Sequence, residues 1–182
     1  CAHVTHLTLD QADDVTDASL TAAAQRWPRL QHLDVFATGA TDQSIRAVAH
    51  SCPELKFLSV GCTWITTASI TAIARHCPLL TELDVSYTAG ATDASVAAIA
   101  AGCPSLRRLD MHAAGEITDT GMEAIATHCQ QLEFLDVSAT TKGVTNAAVE
   151  NVARRCSKLR TLQTKITGLT DVLQAMEARR RS

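Results

Sequence analysis

The sequence predicts an α/β solenoid, with a parallel sheet on one side and a row of helices on the other. Three observations predict it. The 182-residue chain repeats itself every 25 to 27 residues, which leaves room for one strand and one helix in each repeat. Hydrophobic residues make up 46% of the chain but aromatic residues only 3%, so the core is aliphatic. Elements this short bury their apolar faces only when neighbouring repeats stack.

Each repeat has an anchor residue near the predicted end of its helix. The anchors are spaced by 25, 25, 26, 26 and 27 residues, and they are Trp27, Cys52, Cys77, Cys103, Cys129 and Cys156. Leucines follow three and six residues after every anchor. An apolar residue follows two positions later in every repeat except the last, which has Thr164. Proline follows the first four anchors, and proline ends a helix.

The segment after each anchor predicts a strand. In LQHLDVF, residues 30–36, Leu33 and Val35 alternate with His32, Asp34 and Phe36, as in a strand with one face in and one face out. We therefore expect parallel strands near residues 4–9, 30–35, 55–60, 80–85, 106–111, 132–137 and 159–164.

A helix should begin after the threonine of each repeat. In the segment after Thr41, residues Ile45, Val48 and Ala49 form an apolar stripe. Thr41 suits the N-cap, and Asp42 suits the positive end of the helix dipole. The same register contains Thr16, Thr41, Thr66, Thr92, Thr118, Thr145 and Thr170.

The motif CPxLxxLDVS…TDxSVxAIA resembles the cysteine-containing leucine-rich repeat family, as in F-box leucine-rich repeat proteins. Residues 77–100 are its clearest copy, and the resemblance covers nearly the whole chain. It implies a right-handed horseshoe, with strands on the concave face and helices on the convex face. We expect a single domain, 1–182, of about seven repeats, with Gln174 marking a degenerate last unit. The start at Cys1 suggests a fragment of a longer protein, whose first repeat would fray or self-associate.

Composition argues against several classes of protein. A net charge of −3 disfavours a nucleic-acid binder, and no apolar run is long enough for a membrane helix. Because the chain lacks phosphate loops, nucleophile elbows and metal motifs, we expect neither an enzyme nor a cofactor. His50, His76 and His128 precede anchor cysteines, and we interpret them as partners of helix dipoles rather than of catalytic thiols.

The seven cysteines indicate an intracellular, reducing compartment, either cytoplasm or nucleus. Five of them occupy the anchor position, and none forms a CxxC pair. We expect Cys52, Cys77, Cys103 and Cys129 to be reduced, buried and free of metal. The arginines at 179–181 are a solvated tail or a small anionic contact.

Outward-facing strand positions form three columns on the predicted concave face. The first is His6, His32, Phe57, Glu82, Arg108, Phe134 and Thr161. The second is Thr8, Asp34, Ser59, Asp84, Asp110, Asp136 and Gln163, and the third is Asp10, Phe36, Gly61, Ser86, His112, Ser138 and Lys165. They provide the candidate partner-binding residues His32, Asp34, Phe36, Phe57, Glu82, Asp84, Arg108, Asp110, Phe134 and Asp136. Phenylalanines outside a core suggest an interface, although strand ends could also tuck the rings against neighbours. Stacked aspartates should raise one another's pKa. They fit a basic partner segment, a metal ion, or a solvated row partly paired with Arg108.

The resemblance implies a non-enzymatic protein-interaction module. Within that class it suggests the substrate-recognition repeats of an F-box-type ubiquitin ligase. The alternative is a scaffold subunit of a large ciliary, cytoskeletal or mitochondrial assembly.

Overall fold

A computed structural model describes residues 3–139, 143–165 and Met176. In this part of the chain, seven strands alternate with six helices, and the strands form one sheet in sequential order. The strands are β1 (His6–Thr8), β2 (His32–Asp34), β3 (Phe57–Ser59), β4 (Glu82–Asp84), β5 (Arg108–Asp110), β6 (Phe134–Asp136) and β7 (Thr161–Gln163). The helices are α1 (Asp17–Arg26), α2 (Asp42–Ser51), α3 (Thr67–His76), α4 (Asp93–Gly102), α5 (Asp119–His128) and α6 (Asn146–Arg155). Among the described residues, no helix has the length and apolarity to cross a membrane.

All strand pairs are parallel, and their register aligns the columns expected from the sequence. The strands are shorter than predicted, with three residues each instead of six. Hydrogen bonding between repeats nevertheless continues past the strand: Val35 N–H donates to the Ser59 carbonyl at 3.0 Å, and Ala37 N–H donates to that of Gly61 at 2.9 Å. The six-residue length that we predicted therefore corresponds to the whole segment that is hydrogen-bonded to the next repeat, and the regular strand is only part of that segment.

A turn with left-handed backbone ends this contact in each repeat. Its central residue has φ between +50° and +57°, a conformation that side chains disfavour, at Gln11, Ala37, Cys62, Tyr87, Ala113 and Ala139. The preceding aspartate supports the turn, because Asp34 Oδ1 accepts the Phe36 N–H at 3.0 Å. The same bond recurs at Asp84, Asp110 and Asp136. The aspartate of the LDVS pattern thus has a structural role.

The helix starts agree with the prediction, since Thr16, Thr41, Thr66, Thr92, Thr118 and Thr145 are the N-caps. Thr170, Gln174 and the arginine tail lie outside the described residues. The aspartate after the cap also binds the next repeat: Asp17 accepts the Thr41 N–H at 2.9 Å and its hydroxyl at 2.6 Å. Equivalent bonds join Asp42 to Thr66, Asp93 to Thr118 and Asp119 to Thr145.

The core lies between the sheet and the helix row and is aliphatic, as predicted. The strand leucines Leu33, Leu58, Leu83, Leu109 and Leu135 are buried. Among the described strands β1 pairs only with β2, and its Leu7 is only half-buried. The expected fraying of the first repeat stays a prediction.

The anchor cysteines are buried and unbridged, as expected, and Cys62 is exposed. The thiols of Cys52, Cys77, Cys103 and Cys156 each lie near a carbonyl of the preceding repeat; Cys103 Sγ, for example, is 3.6 Å from the Cys77 carbonyl oxygen. Burial raises the pKa of Cys77, Cys103 and Cys129 to about 12. A thiol with so high a pKa is a poor nucleophile and acts here as a small apolar side chain.

Candidate protein-binding surface

In the first column of the concave face, aromatic rings contact their neighbours toward both ends, and charged side chains lie between Phe57 and Phe134. His6 stacks on His32 with ring centroids 5.4 Å apart, and His32 stacks on Phe57 at 4.0 Å with an interplanar angle of 11°. At the other end, the Arg108 guanidinium lies 3.6 Å above the centre of the Phe134 ring. Adjacent strands lie about 4.8 Å apart, so aligned side chains on neighbouring strands are close enough for ring stacking and for cation–π contacts.

The three phenylalanines Phe36, Phe57 and Phe134 are half-buried. Phe57 and Phe134 stack on their neighbours in the column. The Phe36 ring lies against Gly61, where an added Cβ would come within 2.8 Å of the ring. The rings are therefore tucked against adjacent repeats, as one interpretation of the sequence expected, and their role in an interface stays a prediction.

The second column is acidic and partly buried. Asp84, Asp110 and Asp136 align on adjacent strands, as predicted. Burial raises the pKa of Asp110, and the neighbouring charges of Asp84 and Asp136 raise it further. Arg108 lies 3.2 Å from Asp110, so one cation partly offsets this row.

One member of this acidic row is not a surface residue. Asp136 is only 4% exposed, and its Oδ1 accepts hydrogen bonds from both the N–H and the hydroxyl of Ser138. Ser59 is buried as well, and its hydroxyl donates to Asp84 at 3.1 Å. Asp136 therefore contributes negative charge to the face but offers little contact area.

Two of the helix-end histidines contact each other, and the dipole role expected for them stays a prediction. The rings of His50 and His76 lie 4.0 Å apart on adjacent helices. A helix dipole favours protonated histidine, yet the pKa of His76 is lowered by desolvation, by His50 and by Arg75. Within the described ranges, no three or more His, Cys, Asp or Glu side chains are placed to hold a metal ion.

Two exposed aromatic residues were missed by the sequence reasoning. Trp64 is 78% exposed and Tyr87 is 56% exposed, and both line one surface depression with Cys62, Thr63 and Ala89. They lie in the turns after the strands, outside the columns that alternation defines. The available signal was the size of the side chain, because the neighbouring repeats have Gly39 and Ala89 at the place of Trp64, and Cys62 and Ala113 at the place of Tyr87.

Comparison with known proteins supports the architecture. Residues 102–126 match the Leucine Rich repeat family. No curated protein sequence matches the chain. The structure is similar to an internalin of Listeria monocytogenes, with 19% identity, a TM-score of 0.68, and coverage of 94% of this chain and 46% of that one.

It is also similar to a chain in the yeast Rad7–Elc1 complex, with 14% identity, a TM-score of 0.71, and coverage of 98% and 48%. The chain thus spans less than half the length of either structure. The protein has the leucine-rich repeat fold, and one of its repeats matches the family model directly.

Proposed function

We propose that the protein is a non-enzymatic recognition module that binds a protein partner on its concave face. The observation that carries this proposal is the combination of half-buried rings and carboxylates on one aligned surface. Rigid strands hold these side chains in place before binding, so little ordering entropy is lost on association. A few anchors then dominate the affinity.

The charge of this face favours a basic partner segment. Its three columns contain six carboxylates and two Lys or Arg residues: Asp10, Asp34, Glu82, Asp84, Asp110 and Asp136 against Arg108 and Lys165. Phe57 is aligned with Glu82 on the next strand. A partner with Lys or Arg beside an apolar side chain would match both neighbours.

The cysteine-anchored repeat pattern supports a more specific proposal, substrate recognition in an F-box-type ubiquitin ligase. A scaffold subunit of a large assembly is the alternative. Reconstitution of the full natural chain with the adaptor subunit that binds F-box segments distinguishes them. A stable complex supports the ligase; a failure to bind the adaptor supports the scaffold.

Selection from a phage-displayed library of random twelve-residue peptides tests the concave face. We expect enriched peptides to combine Lys or Arg with an adjacent apolar residue. The Phe57→Ala and Phe134→Ala variants should each bind those peptides more weakly by about 2 kcal/mol, roughly 30-fold, as interface anchors do. Isothermal titration calorimetry gives the affinity.

Arg46→Ala on the exposed side of α2 is the matched control and should bind normally. Thermal unfolding of every variant separates lost contacts from lost structure. Normal binding by both phenylalanine variants, with binding abolished by Arg46→Ala, would place the partner on the convex side and overturn the proposal.

A further inference from the structure

The two edges of the solenoid have opposite charge. In this topology every strand-to-helix connection lies on one edge and every helix-to-strand connection on the other. The connections, each counted to the first residue of its helix, are 9–17, 35–42, 60–67, 85–93, 111–119 and 137–146. Their one Lys or Arg is Lys142, which lies outside the described residues. They have eight carboxylates, namely Asp10, Asp13, Asp14, Asp17, Asp42, Asp93, Glu116 and Asp119. We call this the acidic edge.

The opposite edge is basic. Its connections are 26–31, 51–56, 76–81, 102–107, 128–133 and 155–160. They have two glutamates and seven Lys or Arg residues: Arg26, Arg29, Lys56, Arg107, Arg155, Lys158 and Arg160. A cationic segment lying on the concave face is therefore attracted toward the acidic edge and repelled from the basic edge.

An aromatic depression lies in the middle of the acidic edge. Trp64 and Tyr87 come from adjacent repeats and line it together. The backbone of Tyr87 has φ +55°, an uncommon conformation for a bulky residue, and its ring packs edge-on against His112 at 5.0 Å. His112 belongs to the third concave column, so Tyr87 lines the depression and also contacts the face of the proposed function.

We propose that an arginine or lysine side chain of the partner's basic segment binds in this depression, between the rings of Trp64 and Tyr87. The inference rests on the proposed function, since it assigns a second anchor to the same basic segment at the place where that segment leaves the concave face over the acidic edge. Aromatic faces attract cations. The residues that line the depression include no Asp, Glu, Lys or Arg, but Thr66 among them is hydrogen-bonded to the Asp42 carboxylate, and the edge as a whole is acidic, which adds to the attraction. Charge complementarity thus favours a cation here over an apolar or anionic group.

NMR titration with N-acetylarginine methylamide tests the site without the natural partner. Its neutral isostere, N-acetylcitrulline methylamide, is the matched control ligand. The indole N–H signal of Trp64 reports on the depression, and that of Trp27, on the basic edge, is an internal reference. We expect arginine to shift the Trp64 signal with an affinity about five-fold higher than that of citrulline. The Trp27 signal should stay in place.

Two substitutions of Tyr87 distinguish the effect of its aromatic ring from the effect of its size. Tyr87→Phe should keep the arginine response, and Tyr87→Leu should lose it. Equal shifts with arginine and citrulline, or an unchanged response in Tyr87→Leu, would overturn the proposal.

A further measurement excludes a second copy of the chain as occupant. If Trp64→Ala abolished self-association in sedimentation experiments and arginine had no effect on the Trp64 signal, the basic edge of another copy would be the occupant and the proposal would be wrong. The response of Trp64 does not require Phe57 or Phe134. If arginine did not shift the Trp64 signal but peptide binding still depended on Phe57 and Phe134, only this second anchor would be rejected. If arginine shifted the Trp64 signal but peptide binding did not depend on those phenylalanines, only the concave-face proposal would be rejected.

Discussion

Replacing Asp42 with asparagine tests whether the aspartate–threonine bonds hold neighbouring repeats together. Asp42 is the first residue of α2, and its carboxylate reaches into the following repeat. It accepts the Thr66 N–H at 2.8 Å and the Thr66 hydroxyl at 2.6 Å, and it also accepts the Ser69 hydroxyl. Asp42→Asn keeps the shape of the side chain and removes its charge.

The size of the effect follows from these three bonds. A hydrogen bond to a charged group contributes about 1.5–3 kcal/mol, against about 1 kcal/mol for a neutral pair. Because the site is only half-buried, we expect Asp42→Asn to lower the free energy of unfolding by about 2 kcal/mol in total. For a chain of this size that is about 4–8 °C in the melting temperature.

The pH dependence gives an independent check. Burial raises the pKa of Asp42, but the hydrogen bonds from Ser69 and Thr66 outweigh it, so the pKa is lowered overall. The unfolded chain then binds the proton more tightly than the folded one. The stabilisation is present above the ordinary aspartate pKa of about 3.9 and is lost as the pH falls through the folded value.

Urea unfolding followed by circular dichroism at pH 7 and at pH 2.5 measures both effects. The difference between wild type and Asp42→Asn should shrink at the lower pH. Asp13→Asn, in an exposed turn of the first repeat, is the matched control and should change stability by less than about 0.5 kcal/mol. A loss at pH 7 equal to that of the control, or a difference that grows on acidification, would refute the reasoning.

Three other predictions concern the core, the turns and the thiols. Leu83→Ala should lower the free energy of unfolding by about 2–5 kcal/mol in urea titration, and a loss no larger than that of Phe57→Ala would contradict the core assignment. Ala113→Gly should raise it by about 0.4–1 kcal/mol, because glycine adopts φ +50° without strain; Ala114→Gly, buried and outside the left-handed position, should lower it. Exposed Cys62 should react with a thiol reagent at pH 8 within seconds, whereas Cys77, Cys103 and Cys129, with pKa values of about 12, should react only after denaturation. Peptide mapping identifies the labelled residues, and rapid labelling of Cys103 in the folded protein would disprove its burial.

Periodicity made much of the architecture accessible from the sequence. The alternation around Leu33 identifies the buried face of a strand, and the spacing of Ile45 and Val48 identifies the buried face of a helix. Repetition then determines the register, since positions at the same distance from each anchor residue align, such as His32 with Phe57 and Asp84 with Asp110. These signals are local to one repeat. Because each repeat packs against its neighbours in the same way, the same interpretation applies to every repeat.

The burial of individual columns depended on contacts between repeats. Alternation places Asp136 and Phe36 on the outward side of the sheet, but Ser138 encloses the first and Gly61 makes room for the second. Trp64 and Tyr87 lie in the turns of adjacent repeats, and only the structure shows that both side chains are exposed and line one depression.

The role of the helix-initial aspartates was also decided by the tertiary structure. From the sequence, Asp42 is a favourable charge at a helix start; in the fold it also binds Thr66 of the next repeat, 24 residues later. The physical reason is distance. Hydrogen bonds and ring contacts depend on side-chain positions across the roughly 5 Å between stacked strands. A periodic pattern states which residues are neighbours, and only the packed structure shows which of their atoms meet.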